Sequence, residues 1–390
     1  MKTLNCLKFL LIAVCLGLIA GIFFSLELWF PMARTFPRVP IFIGLPENTV
    51  LIVERTLTVI LVISLILMTV SFCPKIFSIV AVSSLILLIS FDQIRLQPWV
   101  YQYLLLLTVL ALPTNDENSD QTLSLSQIII AGLYFWSGVQ KLNFTFLHET
   151  LPMLLTPLQN LLPSFQLPLV WLGIGIASAE SLIGCGLVFR RTRKLAVWFA
   201  VAMHGFILAL LIAKNYNSIV WIWNAALMLI VVIAFWKNDN SIKEAVTFSK
   251  ANNWKVRLAK TISLASVLLP ILSFIGWWDM YLSGALYSGN VEIGVIRIND
   301  NLYKKLPPNA QKSVFRTESG GEQMLPFFEW SIAELNVPVY PELRVFKQVA
   351  GDICRLTNYK SEIEMIVKEH PEIFNGNYKV RRISCAELER

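Results

Sequence analysis

The chain reads as an all-α polytopic membrane bundle of about nine transmembrane helices with a small α+β C-terminal extramembrane domain. Three observations predict this. The 390 residues are 55% hydrophobic and only 15% charged, with a mean hydropathy of +0.60, whereas soluble domains sit near ~45–50% apolar and ~25% charged. Apolar runs close to the ~20 residues that a bilayer core demands recur from the N-terminus to residue 282. From Ser288 onward the composition becomes that of a soluble domain.

The spans fall at approximately 9–30, 50–72, 76–92, 99–113, 124–143, 167–189, 195–213, 218–236 and 261–282. The fourth is short and carries Gln102. The first run follows Lys2 and Lys8, exceeds the ~7–15 apolar residues of a secretory signal and lacks an Ala-x-Ala site, so it reads as an uncleaved helix. Leu11-Ile-Ala-Val-Cys15 is a poor lipoprotein box, because bulky Val14 occupies a small-residue position. Leu151–Leu162, bounded by Pro152, Pro157 and Pro163, is too short and interrupted to cross and fits a loop or interfacial helix.

Orientation follows the basic loops. Arg190-Arg-Thr-Arg-Lys194 and Lys237–Lys260 are expected in the cytoplasm together with the N-terminus, while loop 144–166, free of Lys and Arg, falls outside. Arg34 and Arg38, in an outer loop, run against this scheme. The expected location is an integral membrane protein, in the inner membrane if the host is bacterial, with an external C-terminal domain at 286–390 following a membrane body at 1–285.

In the C-terminal stretch, β-branched Val291–Ile298 predicts a strand, Glu342–Leu356 a helix opening after Pro341, and Ile363–Val367 with Tyr378–Ser384 a strand pair. Cys354 and Cys385 are the only cysteines there; outside the cytoplasm thiols oxidise, which predicts a disulfide between them. With Cys6, Cys15, Cys73 and Cys185 they form no Cys-x-x-Cys pair or Cys/His cluster, so no metal is expected. The net charge of +7 shows no compact basic patch interleaved with aromatics, which argues against nucleic-acid partners. The acidic loop Asp116–Asp120 reads as a solvated turn.

Lys141 ends an otherwise apolar span. A lysine in water-poor surroundings finds a counter-charge, snorkels or loses its proton, and the neutral amine is a base. Asp92, Arg95, Glu54, Arg55 and Glu27 gather at the same leaflet, the last three as span-end charges. Glu180 and His204 fall near mid-bilayer, and Asn224 lies after Trp221 and Trp223 in the eighth span.

Tyr134-Phe-Trp-Ser-Gly-Val-Gln-Lys-Leu-Asn143 resembles the Tyr-Phe-x-x-Gly-x-x-Lys-Leu stretch of the vitamin K-dependent γ-glutamyl carboxylases. Phe91-Asp-Gln-Ile-Arg-Leu-Gln-Pro-Trp-Val-Tyr-Gln-Tyr103 is similar to a second stretch of that family, with Asp92, Tyr101 and Tyr103 matching. The wider group is the horizontally transferred transmembrane domain, and Glu180-Ser-Leu-Ile-Gly184 before an Arg-rich turn is similar to a DoxX-like feature. The resemblance implies Lys141 as catalytic base, Asp92 and Tyr101 as orienting groups, and Trp99 as a stacking wall. Tyr103, Trp136, Glu180, His204 and Asn224 complete the expected ligand contacts, and the implied cofactor is a reduced, vitamin K-like quinone. Trp99 stands where the family has a histidine, and Gln140 where it has the first of two lysines. These departures point away from peptide-glutamate carboxylation and toward a retained quinone or other redox pocket.

Two functions follow as expectations. One is carboxylase-like or oxidoreductase-like chemistry at an outer-leaflet pocket. The other is a non-catalytic, DoxX-like subunit supporting a membrane redox or envelope partner, which predicts no sizeable cavity at Lys141. Reporter fusions after Lys194 and Lys260 should read cytoplasmic, and fusions after Asn143 and Arg390 external. An internal C-terminus means that one span is miscounted, the short fourth first.

Overall fold

The computed structural model describes residues 2–42, 47–71, 74–111, 118–161, 168–238, 242, 254–317, 320–358, 360 and 362–388. Eight of the described helices are long and apolar enough to cross a membrane, which defines an integral membrane protein. They are α1 (Lys2–Phe24), α2 (Glu47–Thr69), α3 (Pro74–Phe91), α5 (Ser119–Gln140), α7 (Leu169–Val188), α8 (Arg193–Ala213), α9 (Ser218–Phe235) and α10 (Trp254–Leu268), the last prolonged by a 3-10 stretch to Ile275. Between α3 and α5 runs α4 (Pro98–Ala111), whose 14 residues span only ~21 Å at ~1.5 Å each. The expected fourth span is thus a short stroke over the described residues. It is nonetheless buried between neighbours, packing on α1, α3 and α5.

Helix α5 lies deepest, flanked by α1, α4, α7, α9 and α10. Its tightest partner is α7. A side-chain carbon on Gly138 would collide with Ser181 and the Ala177 carbonyl, and one on Gly184 with the Phe135 amide. Small residues let membrane helices approach closely where no hydrophobic drive exists between them. Past α5, Phe146–Thr150 forms a π-turn that feeds α6 (Leu151–Leu161), a short helix where a loop or interfacial helix was expected, with Pro157 inside it.

The C-terminal segment builds a five-stranded antiparallel sheet in the order β2-β3-β1-β4-β5, from β1 (Ile293–Ile298), β2 (Phe315–Arg316), β3 (Gln323–Pro326), β4 (Glu364–Lys368) and β5 (Val380–Ser384). Helices α11 (Phe327–Leu335) and α12 (Leu343–Cys354) cover it. Strand β1 alternates buried and half-buried residues, as a strand with one face on a core must. The three predicted strands and the predicted helix are present, whereas β2, β3 and α11 carried too weak a pattern to be read. Cys354 and Cys385 are joined, with Cα atoms 5.5 Å apart. In the chain-entropy model a loop of this length adds ~3–4 kcal/mol. Cys73, Asp116 and Glu117, and residues 239–241 and 243–253 of the basic stretch, lie outside the described residues.

The sheet unit is fastened to the ends of α1, α3 and α5 and the starts of α4 and α9. Asn336 Nδ2 donates to the Phe24 carbonyl at 2.7 Å and to Ser218 Oγ at 2.9 Å. Gln97 donates to Pro338 O at 2.9 Å, Asn143 to Ser288 O at 2.8 Å, and Arg344 Nε to Gln93 Oε1 at 2.9 Å. These ends all lie at one side because successive strokes alternate in direction, α4 included.

Where the sheet unit meets the linker from α10, burial pushes the Glu342 carboxyl up to about 7, and neighbouring Asp279 adds to it. Burial does the same for Glu292, also to about 7. Arg344 NH1 is 3.5 Å from Glu342, but both its terminal nitrogens donate to Asp279, so its charge is directed there. A carboxyl whose folded value is raised keeps its proton while the unfolded chain ionises. Its contribution to stability is therefore present at low pH and is lost as pH rises from the ordinary glutamate range through about 7. Thermal unfolding of Glu342→Gln against pH should be flatter than wild type over that window, the variant gaining on the order of 3 kcal/mol above it. Parallel curves for the two proteins would show that Glu342 ionises normally.

Candidate functional site

The side chain of Lys141 runs back along α5 instead of snorkelling. Its Nζ donates to the Ser137 carbonyl at 3.1 Å, to Ser137 Oγ at 2.7 Å and to Glu180 Oε2 at 2.8 Å. All three ammonium protons are thereby used. The close approach of α5 and α7 at Gly138, one turn before Lys141, is what brings Glu180 into reach. The two side chains are only 12% and 8% exposed. Among the described residues nothing donates to the second oxygen of Glu180.

Beside this pair runs a second polar chain. Asn224 Nδ2 donates to the Val220 carbonyl at 2.8 Å, which turns its Oδ1 toward His204 Nδ1 at 2.7 Å. An amide oxygen only accepts, so Nδ1 carries the proton, Nε2 is the acceptor, and the Tyr134 hydroxyl donates to it at 2.7 Å. In the neutral ring these two partners select a single tautomer. Glu180 and Lys141 both lie within electrostatic reach of the ring.

Both groups face one cavity of about 170 Å³. Its walls are otherwise apolar. Leu151, Leu154 and Leu155 of α6 close one side, Met203, Ile207 and Leu210 of α8 another. Gly284, Leu286 and Tyr287, from the linker after α10, complete it. Gly284 has φ +76° and sits 3.3 Å from the Ser137 amide by its would-be side-chain carbon, so both its conformation and its closeness favour glycine. Phe206, 46% exposed on α8, marks the edge where the cavity meets the outer face of the bundle.

The structure thus brings together Lys141, Glu180, His204 and Asn224. It does not bring Asp92, Trp99, Tyr101, Tyr103 or Trp136 to them, which corrects the grouping expected from the sequence. Asp92 binds Arg34 at 2.6 Å and caps the 3-10 turn Gln93–Arg95 through the Ile94 N–H. Arg95 binds Glu54 at 2.7 Å, and Arg38 reaches the same carboxylate at 3.2 Å. This buried network organises the loops under the sheet unit. Arg34 and Arg38 therefore serve as counter-charges for Asp92 and Glu54. Trp99 and Tyr103 pack against Gly21 and Gly17 of α1. Tyr101 and Trp136 line a separate pocket of about 30 Å³ that shares Leu133 and Gly284 with the main cavity.

Tyr134 and Ser137 were not singled out as contacts, yet they lie seven and four residues before Lys141, on its own helical face. The 3.6-residue period carries that signal. The linker residues and the α6 leucines had no signal beyond the prolines that bound α6.

The fold and site define a polytopic membrane protein with a paired lysine and a histidine held between Tyr134 and Asn224 at one internal cavity. No family model, curated protein or solved structure matches the chain.

Breaking a buried ion pair costs ~3–5 kcal/mol, because the remaining charge is stranded. Lys141→Met and Glu180→Leu should each lower the melting temperature sharply, and the double variant should recover most of the loss. Additive losses would mean that the pair is not the source of the cost.

Proposed function

We propose that the protein is a membrane oxidoreductase-like enzyme whose cavity binds the ring head group of a reduced, quinone-type lipid and takes up its hydroxyl proton. The observation that carries this reading is the meeting of an ion pair and the Tyr134–His204–Asn224 chain at one apolar cavity. At about 170 Å³ the space is below the ~300–1,000 Å³ of a pocket for a whole drug-sized molecule. It suits a ring with its tail leaving past Phe206.

The donor set fits such a group. When bound, a reduced quinone would supply an ionisable ring hydroxyl and two electrons, with dissolved dioxygen as the co-reactant that accepts them. Glu180 Oε1 is the open acceptor and holds the proton, so the carboxylate takes the role that the resemblance gives to Lys141. Lys141, with its protons committed to Ser137 and Glu180, keeps the carboxylate in place and stabilises negative charge that develops nearby. Tyr134, fixed by His204, orients the ring through its oxygen lone pair. The apolar leucines exclude water. Peptide carboxylation is not part of the proposal, since Trp99 is packed in the core away from the cavity. The cavity at Lys141 weighs against a purely non-catalytic subunit.

The test uses the purified full-length chain in lipid nanodiscs with menadiol, a tailless reduced naphthoquinone, and follows oxygen uptake. Glu180→Gln should reduce the rate ~100-fold or more, the span of a lost general base, per mole of folded protein and below its lowered melting temperature. Lys141→Met should do the same on that basis. Uptake no faster than without protein, or unaffected by both substitutions, would overturn the assignment.

A further inference from the structure

A second concavity, of about 870 Å³, lies between the sheet unit and the bundle, apart from the Lys141 cavity. One wall is α12, which presents Lys347, Gln348 and Asp352, followed by Arg355 just past its end. The opposite wall is the loop carrying Arg38 and Phe42, and the base is formed by Val50 in the first turns of α2 and Phe91 at the end of α3. Four of the lining residues are cationic and one, Asp352, is a carboxylate.

Its two halves differ in chemistry. The upper half carries Lys347, exposed on α12, and Arg355, which pairs with Asp352. The half toward the bundle sets Phe42, 80% exposed, with Val50 and Phe91 beside Arg34 and Arg38, whose charges are paired with Asp92 and Glu54. From Val50 and Phe91 the outward faces of α2 and α3 continue with Ile52, Val59, Ile86 and Leu87, all exposed on helices long enough to cross a bilayer. A cationic rim above an apolar channel that runs onto lipid-facing helices matches the boundary between phosphate head groups and acyl chains.

We propose that this groove seats an anionic phospholipid from the leaflet facing the sheet unit, its phosphate at Lys347 and Arg355 and its acyl chains along α2 and α3 past Phe42. An acidic peptide would use the rim but leave the apolar channel without a partner, so the lipid accounts for both halves. Arg38 stays paired with Glu54 and helps set the positive field from the opposite wall. The site is independent of the redox reading and survives its failure.

The test is native mass spectrometry of the full-length protein in nanodiscs containing phosphatidylglycerol or phosphatidylcholine. Phosphatidylglycerol should be retained in preference. One basic residue near the surface contributes ~1 kcal/mol, so Lys347→Gln should weaken retention about fivefold. Asp352→Asn, which removes the carboxylate, should strengthen it, an effect that misfolding cannot imitate. Equal retention of the two lipids, or no response to either substitution, would overturn the proposal. Displacement by glycerol phosphate alone would assign the site to a soluble phosphate, and displacement by an acidic peptide to a protein partner; either result overturns the lipid.

Discussion

A charge withdrawn from water inside a membrane protein must meet its opposite, and this requirement shapes the whole molecule. Buried ions cost several kcal/mol each unless they are paired and hydrogen-bonded. Three such settlements are visible: Asp92 with Arg34, Glu54 with Arg95 and Arg38, and Lys141 with Glu180. The first two fasten the loop after α1 to the turn between α3 and α4, making a platform for the sheet unit. The third lies within the bundle. There the pair borders a cavity among the helices, whereas Arg34 and Arg38 border the groove beneath the sheet unit.

Helix packing decides which partner each charge finds. Gly138 and Gly184 bring α5 and α7 nearly into backbone contact, so a lysine at the end of one helix can reach a glutamate midway along the other. On the opposite side of α5, the glycines of α1 receive the aromatic rings of α4. The same device, a missing side chain, yields a site in one place and a filled core in another.

Much of the architecture was legible in the sequence, since the apolar runs and the β-branched strands are local signals. The positions of Lys141, Glu180, His204 and Asn224 were legible too, because each is costly where it stands. Their assembly was not, nor was the exclusion of Asp92 and Tyr101. Asp92 finds Arg34 58 positions away in the chain, and no local pattern announces such a pair. The Tyr-x-Tyr spacing misled for a geometric reason: on a helix, residues two apart face different neighbours. Trp99 and Tyr103 turn to α1 together, while Tyr101 turns toward Trp136. Helix α4 starts at Pro98, just after Gln97, whose amide is held by the Pro338 carbonyl of the sheet unit.

Each charge settlement also closes between segments that leave the ribosome close together in time. Arg34, Glu54, Asp92 and Arg95 belong to the first three helices and their connecting loops, and Lys141 meets Glu180 on the next long helix after its own. A nascent chain can therefore hand each ion its partner as a hairpin inserts, before the remainder exists. The roof of the cavity is different. Gly284, Leu286 and Tyr287 emerge after every helix of the bundle, so a truncated chain would carry the paired lysine with its chamber still open. Completion of the chain lays the linker over this side of the cavity, so the order of synthesis leaves the cavity unfinished until every helix of the bundle has been made.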